Sequence, residues 1–152
     1  VDIIAEVIKK EKNAVILFLG RGDAINSIRE YAIKKGVSEH IEFMGSRSDI
    51  ARFYQAMDLF LFPSLHEGLP IAGVEAQCTG LPCLFSDTVT SEIIITNRAV
   101  SMPLDSGASE WAKKAVSLAK TYGRKNVADK IAASGYDAAD MGKRMERIYE
   151  QQ

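Results

Sequence analysis

The stretch PSLHEGLPIAGVEAQCTGLPCLFS, residues 63–86, decides how this chain is read. An apolar run, Leu59-Phe60-Leu61-Phe62, leads into it and stops at Pro63. A polar loop follows, carrying Ser64, His66, Glu67 and Gly68. Pro70 suits the first turn of a helix, where its missing N–H is not needed. Gly80 suits the position just past a helix end. A second apolar run, Pro82 to Phe85, comes at once. The stretch therefore predicts strand–loop–helix–strand, the unit of a parallel sheet.

The loop is where chemistry would sit. Glu67 lies just before the helix, and Glu75 lies within it, roughly 7 Å up the axis from Pro70 at 1.5 Å per residue. A helix start offers unpaired N–H groups and a positive dipole end, which favour a phosphate. A ligand with a diphosphate would place that group at Leu69 to Ala72, with polar ends reaching Glu67 and Glu75. Pro70 contributes no donor. Taken as two isolated residues, the carboxylates read more readily as ordinary solvated side chains.

Outward from this stretch, the chain alternates. Asp2 to Lys12 carries Ile3, Ile4, Val7 and Ile8 on one helical face. Ala14 to Leu19 is a continuous apolar run, expected as a strand buried on both faces. Gly20-Arg21-Gly22-Asp23 turns the chain, without the third glycine of a dinucleotide fingerprint, since Ile25 stands there. Asp23 to Lys35 predicts a helix with Ile25, Ile28, Ala32 and Ile33 inward and Gly36 as its stop. His40 to Met44 predicts a strand. Ser48 is a candidate cap for a helix over 49–57, with Ile50, Phe53 and Tyr54 packing inward. After Ser86, a loop and a short helix or turn cover 87–97, then a last strand spans Ala99 to Pro103. Helices are expected over 106–122, over 124–134, and from Asp137 to Glu150. The last carries Met141, Met145, Ile148 and Tyr149 on one face and Lys143, Arg144 and Arg147 on a solvated one.

This pattern predicts an α/β domain, a Rossmann-like doubly wound parallel sheet with helices on both faces. Ligands in such folds sit beyond the carboxyl ends of the strands. Gly20, Gly45, Ser64 to Gly68 and Ser86 to Thr88 all follow expected strands and should converge on one rim. The length of 152 residues suits one domain with a real core. A net charge of −1 argues against nucleic acid as the main partner. No apolar stretch approaches the roughly 20 residues of a membrane span, and no leader peptide is read. Cys78 and Cys83 are expected as a reduced, buried pair, which suits the cytoplasm. Too few ligands stand near them for a metal site.

The block Glu67-Gly68-Leu69-Pro70-Ile71-Ala72-Gly73-Val74-Glu75-Ala76 resembles the Glu-x7-Glu motif of the family 4 retaining glycosyltransferases. Asp58 to Ser64 before it and Gly80 to Cys83 after it match the same pattern. Gly-Leu-Pro after the first Glu is similar to bacterial capsule and exopolysaccharide transferases. The resemblance runs from about Val15 to Pro103 and more weakly to Tyr149. It implies one half of a GT-B fold, and transfer of a sugar from a nucleotide diphosphosugar to a glycan or lipid-linked acceptor, with retention.

The resemblance also implies roles. Glu67 contacts the donor sugar and is the catalytic candidate, while Glu75 takes the ribose hydroxyls. Gly68, Leu69, Ile71 and Ala72 line the donor, with the backbone N–H groups of Ile71 and Ala72 on the distal phosphate. Arg47 lies beside the base, with backbone contacts near Met44 or Ser46. Gly20 is a minor candidate for the same pocket, and His66 is read as loop packing. Uridine is the base that family habit favours. The family uses no metal and no cofactor. Phosphate charge is then met by N–H groups, the helix dipole and cationic side chains.

Family members carry a Gly-Arg and a Lys in the first strand-loop of this domain, ahead of anything in residues 1–152. The chain is therefore expected to be a fragment of the C-terminal, donor-binding half, without the acceptor-binding N-terminal domain. On its own it should show weak donor affinity and no transfer. Peripheral association of the parent with the inner face of the membrane is compatible with this reading. In a sheet ordered 3-2-1-4-5-6, the missing first strand is central. Unpaired edges are then expected beside Val15 to Leu19 and Leu59 to Phe62. Another segment, another chain, or residues ahead of Val1 would fill the slot; an open gap without a replacement would count against that order. Rival readings are a glycoside hydrolase, a sugar-nucleotide epimerase of the same fold, and a non-catalytic nucleotide-binding module. A hydrolase fits poorly, because its two carboxylates face one scissile bond.

Overall fold

The computed structural model describes residues 1–121, 123–124 and 126–150. Its elements, in chain order, are α1 (Asp2–Val7), β1 (Ile16–Leu19), α2 (Ile25–Lys34), β2 (Ile41–Gly45), α3 (Ile50–Ala56), β3 (Phe60–Phe62), α4 (Ile71–Cys78), β4 (Cys83–Ser86), β5 (Ala99–Met102), α5 (Gly107–Thr121), α6 (Ala128–Ile131) and α7 (Ala138–Glu150). Short 3-10 turns cover Ser38–His40, Ser91–Ile93 and Leu104–Ser106.

All strand pairings are parallel. β1 pairs with β2, Ile16 opposite Ile41. β3 pairs with β4, Phe60 opposite Cys83, and β4 with β5, Cys83 opposite Ala99. These are the neighbours that the order 3-2-1-4-5-6 demands for strands 2 and 3, and for strands 4, 5 and 6. Among the described residues no strand lies between β1 and β3, so the strands form two sheets. A cleft of about 1270 Å³ opens there, lined by both strands. The gap is open and no described segment fills it, the outcome that counts against the order 3-2-1-4-5-6. The pairings on both sides nevertheless follow the expected order.

Alternation along the strands explains the layers. Phe60, Phe62, Cys83 and Phe85 face one core, with Tyr54, Val74, Ala76, Leu81 and Ile93. Leu59, Leu61 and Leu84 face the other, with Trp111, Ala115 and Leu118 of α5. Side chains point alternately up and down a strand, so helices cover both faces. A third cluster joins Ile4, Ala32, Val37 and Ile41 around β1 and β2. Trp111 is buried, and its indole N–H donates to the Pro103 carbonyl at 3.0 Å.

Several expectations are corrected. The first helix ends at Val7, not Lys12. Beyond Ile8 the run Lys9-Lys10-Glu11-Lys12 has nothing apolar to bury, so packing fixes no further turn. β1 starts at Ile16 and is half-buried along its length, not buried on both faces. It is paired on one edge only and borders the cleft. Ile33 is 67% exposed, one residue beyond the stripe of Ile25, Ile28 and Ala32. Ser48 does not cap α3. Asp49 holds that position without a side-chain cap bond. Its carboxylate instead accepts Nε and Nη2 of Arg47 at 2.8 and 2.9 Å. Cys83 is buried, but Cys78 is exposed, and both are free thiols.

The expected helix over 124–134 shrinks to α6, followed by a π-turn over Ala132–Tyr136 that is kinked at Gly135 with φ 89°. Residues 122 and 125 of the expected helices lie outside the described ones. Arg124 serves another purpose. Its guanidinium donates to the carbonyls of Tyr54 and Met57 at the end of α3 and of Thr79 at the end of α4. These are the carbonyls a helix end leaves without partners. Asp137 does cap α7, accepting the N–H of Asp140 at 2.9 Å.

Candidate functional site

Helix α4 sets the site. It packs very close to the sheet, because residue 73 has no side chain. A Cβ there would meet Cε1 of Phe85 at 2.7 Å and Cδ1 of Ile93 at 3.0 Å. Pro70 lies one position earlier than expected. It is the N-cap, extended at φ −74°, ψ 105°, and helical geometry starts at Ile71. The N–H of Gly73 is taken by the Pro70 carbonyl at 2.9 Å. Ile71 and Ala72 belong to the first turn, whose N–H groups have no intrahelical acceptor. Gly80, at φ 69°, takes the left-handed conformation that ends the helix. Its N–H bonds to the Gln77 carbonyl at 2.9 Å.

The far end of α4 is held from inside. Gln77 is fully buried. Its Nε2 donates to the carbonyls of Gly73 and Ile93, at 3.1 and 2.7 Å. Its Oε1 accepts the N–H groups of Ile95 and Thr96, and the Thr96 hydroxyl. One amide side chain thus fastens α4 to the segment after β4.

Glu75 is exposed and lies one turn up α4 from the free N–H groups. The buried Tyr54 of α3 donates its hydroxyl to Oε2 of Glu75 across a long 3.4 Å contact. Burial, with the Glu75 charge next, pushes the Tyr54 phenol up to about 12. Arg47 leads into α3, bonded to Asp49 and lying 5.1 Å from the Phe53 ring centre. Its hydrogen bonds to Asp49 hold that carboxyl below the usual range.

The cleft between β1 and β3 brings Arg47, Tyr54, Phe62, Ala72 and Glu75 to one surface. Three residues expected in a nucleotide pocket, Arg47, Ala72 and Glu75, therefore share it. Glu67, Gly68 and Ile71 are exposed and outside its lining, as are Ser46 and Gly20. Met44 is half-buried. Leu69 packs its side chain against the core around Phe85, which leaves only its backbone for a ligand. His66 is exposed, not packed into its loop as expected.

The strand ends meet in pairs, as the expected rim requires. Gly20 donates its N–H to the Gly45 carbonyl at 2.8 Å. The Ser86 and Thr88 hydroxyls both reach the Ser64 carbonyl. Sequence reasoning placed Ser86 to Thr88 on the rim but gave these hydroxyls no partner. It also missed the contact between Tyr54 and Glu75 and the role of Arg124. The local pattern around each residue carries no sign of a partner 21 to 70 positions away.

Parallel strands joined through helices that cover both faces define a Rossmann-like α/β domain. The chain belongs to the glycosyl transferases group 1, whose family model matches residues 1–121. It is 32% identical over 131 residues to EpsF of Bacillus subtilis (strain 168), a protein carrying a glycosyltransferase name, with 81% of this chain and 33% of that one covered. It is 34% identical over 86 residues to the UDP-Gal:alpha-D-GlcNAc-diphosphoundecaprenol alpha-1,3-galactosyltransferase of Escherichia coli, with 56% and 22% covered. The chain thus spans about a third or less of the length of these relatives. Among solved structures, Anabaena Alr3699/HepE in complex with UDP and glucose superposes at a TM-score of 0.78 and 15% identity, with 99% of this chain and 44% of that one covered. The fold is accordingly one half of a GT-B architecture, as the resemblance implied.

Proposed function

We propose that residues 1–152 form the C-terminal, donor-binding domain of a retaining glycosyltransferase in polysaccharide biosynthesis, one that takes a UDP-sugar. The observation that carries this reading is the cleft surface shared by Arg47, Ala72 and Glu75 at the start of α4. A flat base stacks beside the Arg47 guanidinium, with backbone contacts from Met44 or Ser46. The Glu75 carboxylate accepts both hydroxyls of a ribose. The N–H groups of Ile71 and Ala72 take the distal phosphate, helped by the helix dipole. Gly68 and Leu69 pass the sugar on their backbone side, and Glu67 holds its hydroxyls and acts at the reacting centre. Gly20, at the end of β1 and outside the cleft lining, is a minor candidate for the donor.

The proposal includes the rest of the protein. A strand from outside residues 1–152 fills the slot between β1 and β3, and the loop after it brings phosphate-binding cations. A second, N-terminal domain supplies the acceptor site for a glycan or lipid-linked hydroxyl. Among the described residues no helix is long and apolar enough to cross a membrane. As part of the same proposal, the protein works in the cytoplasm, peripheral to the inner face of the membrane.

Ligand-observed NMR of the chain with UDP, GDP and ADP, repeated with Glu75→Ala, tests the pocket. UDP should bind in preference, and the variant should weaken it about tenfold or more, the loss of charge-assisted hydrogen bonds. Equal binding by both proteins removes the ribose role of Glu75. Sugar transfer by residues 1–152 alone refutes the need for a second domain.

A further inference from the structure

We propose that Ser86 and Thr88 are positioning residues that hold the Glu67 loop for the sugar half of the donor. The inference rests on the donor-binding reading above. The Ser64 carbonyl lies two residues past Phe62, the last residue of β3, where the ladder to β4 has ended. It accepts the Ser86 hydroxyl at 2.5 Å and the Thr88 hydroxyl at 2.7 Å. A carbonyl oxygen has two lone pairs, and both are used. Ser86 is fully buried at the end of β4, whereas Thr88 is exposed and comes over the top of it.

Three residues after Ser64, Glu67 pairs with Val89 in an isolated parallel bridge. Val89 is itself buried in the core. The span 64–67 is therefore pinned alongside 86–89 at both ends, one residue out of the β3–β4 register. The Ser86 and Thr88 hydroxyls also lie 3.0 Å apart, so the two form one cluster on the Ser64 carbonyl. Glu67 thus takes its place from the end of β4 and the segment just after it. Glu75 takes its place from α4 and Tyr54, through separate contacts. Removing a hydroxyl of the pin should touch recognition of the sugar and leave recognition of the nucleotide alone. A role limited to general stability would not make that distinction.

The test compares wild type, Thr88→Val and Thr88→Ser in two ways. The first is affinity for UDP against UDP-glucose, UDP-galactose and UDP-N-acetylglucosamine. Thr88→Val should keep UDP affinity within about twofold and lose the extra affinity of the preferred sugar nucleotide, about fivefold, while Thr88→Ser retains it. The second is amide hydrogen exchange without ligand. Glu67 and Gly68 should exchange faster in Thr88→Val only, while β5 stays unchanged. Equal weakening of UDP and UDP-sugars, or unchanged exchange at Glu67 and Gly68, overturns the proposal. Should wild type bind no nucleotide, the donor reading fails by itself, and the exchange experiment still decides whether Thr88 pins the loop.

Discussion

Tyr54 shows how one buried side chain ties the site to pH. Unfolded, its phenol releases a proton near pH 10; in the folded chain burial and the Glu75 carboxylate hold it to about 12. Between those values the unfolded state binds fewer protons than the native one, so stability falls as pH rises. The contribution is intact below pH 10 and is lost progressively above it. Urea midpoints measured across this window should decline less steeply in Tyr54→Phe than in wild type. Identical slopes would mean that Tyr54 is not shielded as described. At this scale the sequence disclosed Tyr54 as an inward residue, from its place on a helical stripe. It did not disclose the carboxylate above it, because Glu75 belongs to another helix, 21 residues on.

At the scale of elements, α4 decides the geometry of Glu75, and Gly73 decides how near α4 lies to β4. The Gly73→Ala substitution drives a methyl group into the Phe85 ring and the Ile93 tip. It should cost about 1–3 kcal/mol of stability, the range for overpacking a filled core. Gly68→Ala is the control. Nothing lies within 4 Å of a Cβ built there, and its φ is not positive. Its cost should stay within about 0.5 kcal/mol, as at an open surface position. Thermal or urea unfolding of the two variants separates them, and equal stability would show that α4 is not seated on Phe85. The limits of α4 were legible to within one residue, because Pro70 and Gly80 are local punctuation. The limits of α1 and α6 were not, because helix length there depends on what each turn can bury.

On the scale of the whole molecule, the split between two sheets governs stability. β4 is paired on both edges and all four of its residues are buried. β1 and β3 each have one partner and only half-buried residues. Central strands of parallel sheets are normally covered on both faces and paired on both edges. Hydrogen exchange should therefore show amides of β1 and β3 opening far more readily than those of β4, which should approach the global stability. Protection of β1 equal to that of β4 would mean that the slot is closed in solution.

Residues 59–86 by themselves determined the strand–loop–helix–strand unit, its place at the carboxyl rim and the family block that runs through it. Those signals are local: an apolar run, a proline, a glycine, and two glutamates eight positions apart. The tertiary structure decided which partners meet. It set Arg47 and Glu75 on one cleft, hung Ser64 from Ser86 and Thr88, seated Arg124 on two helix ends, and left β1 and β3 facing an open slot. Each of these joins residues that are distant along the chain, and only the packing of the sheets and helices fixes which distant groups come within bonding reach.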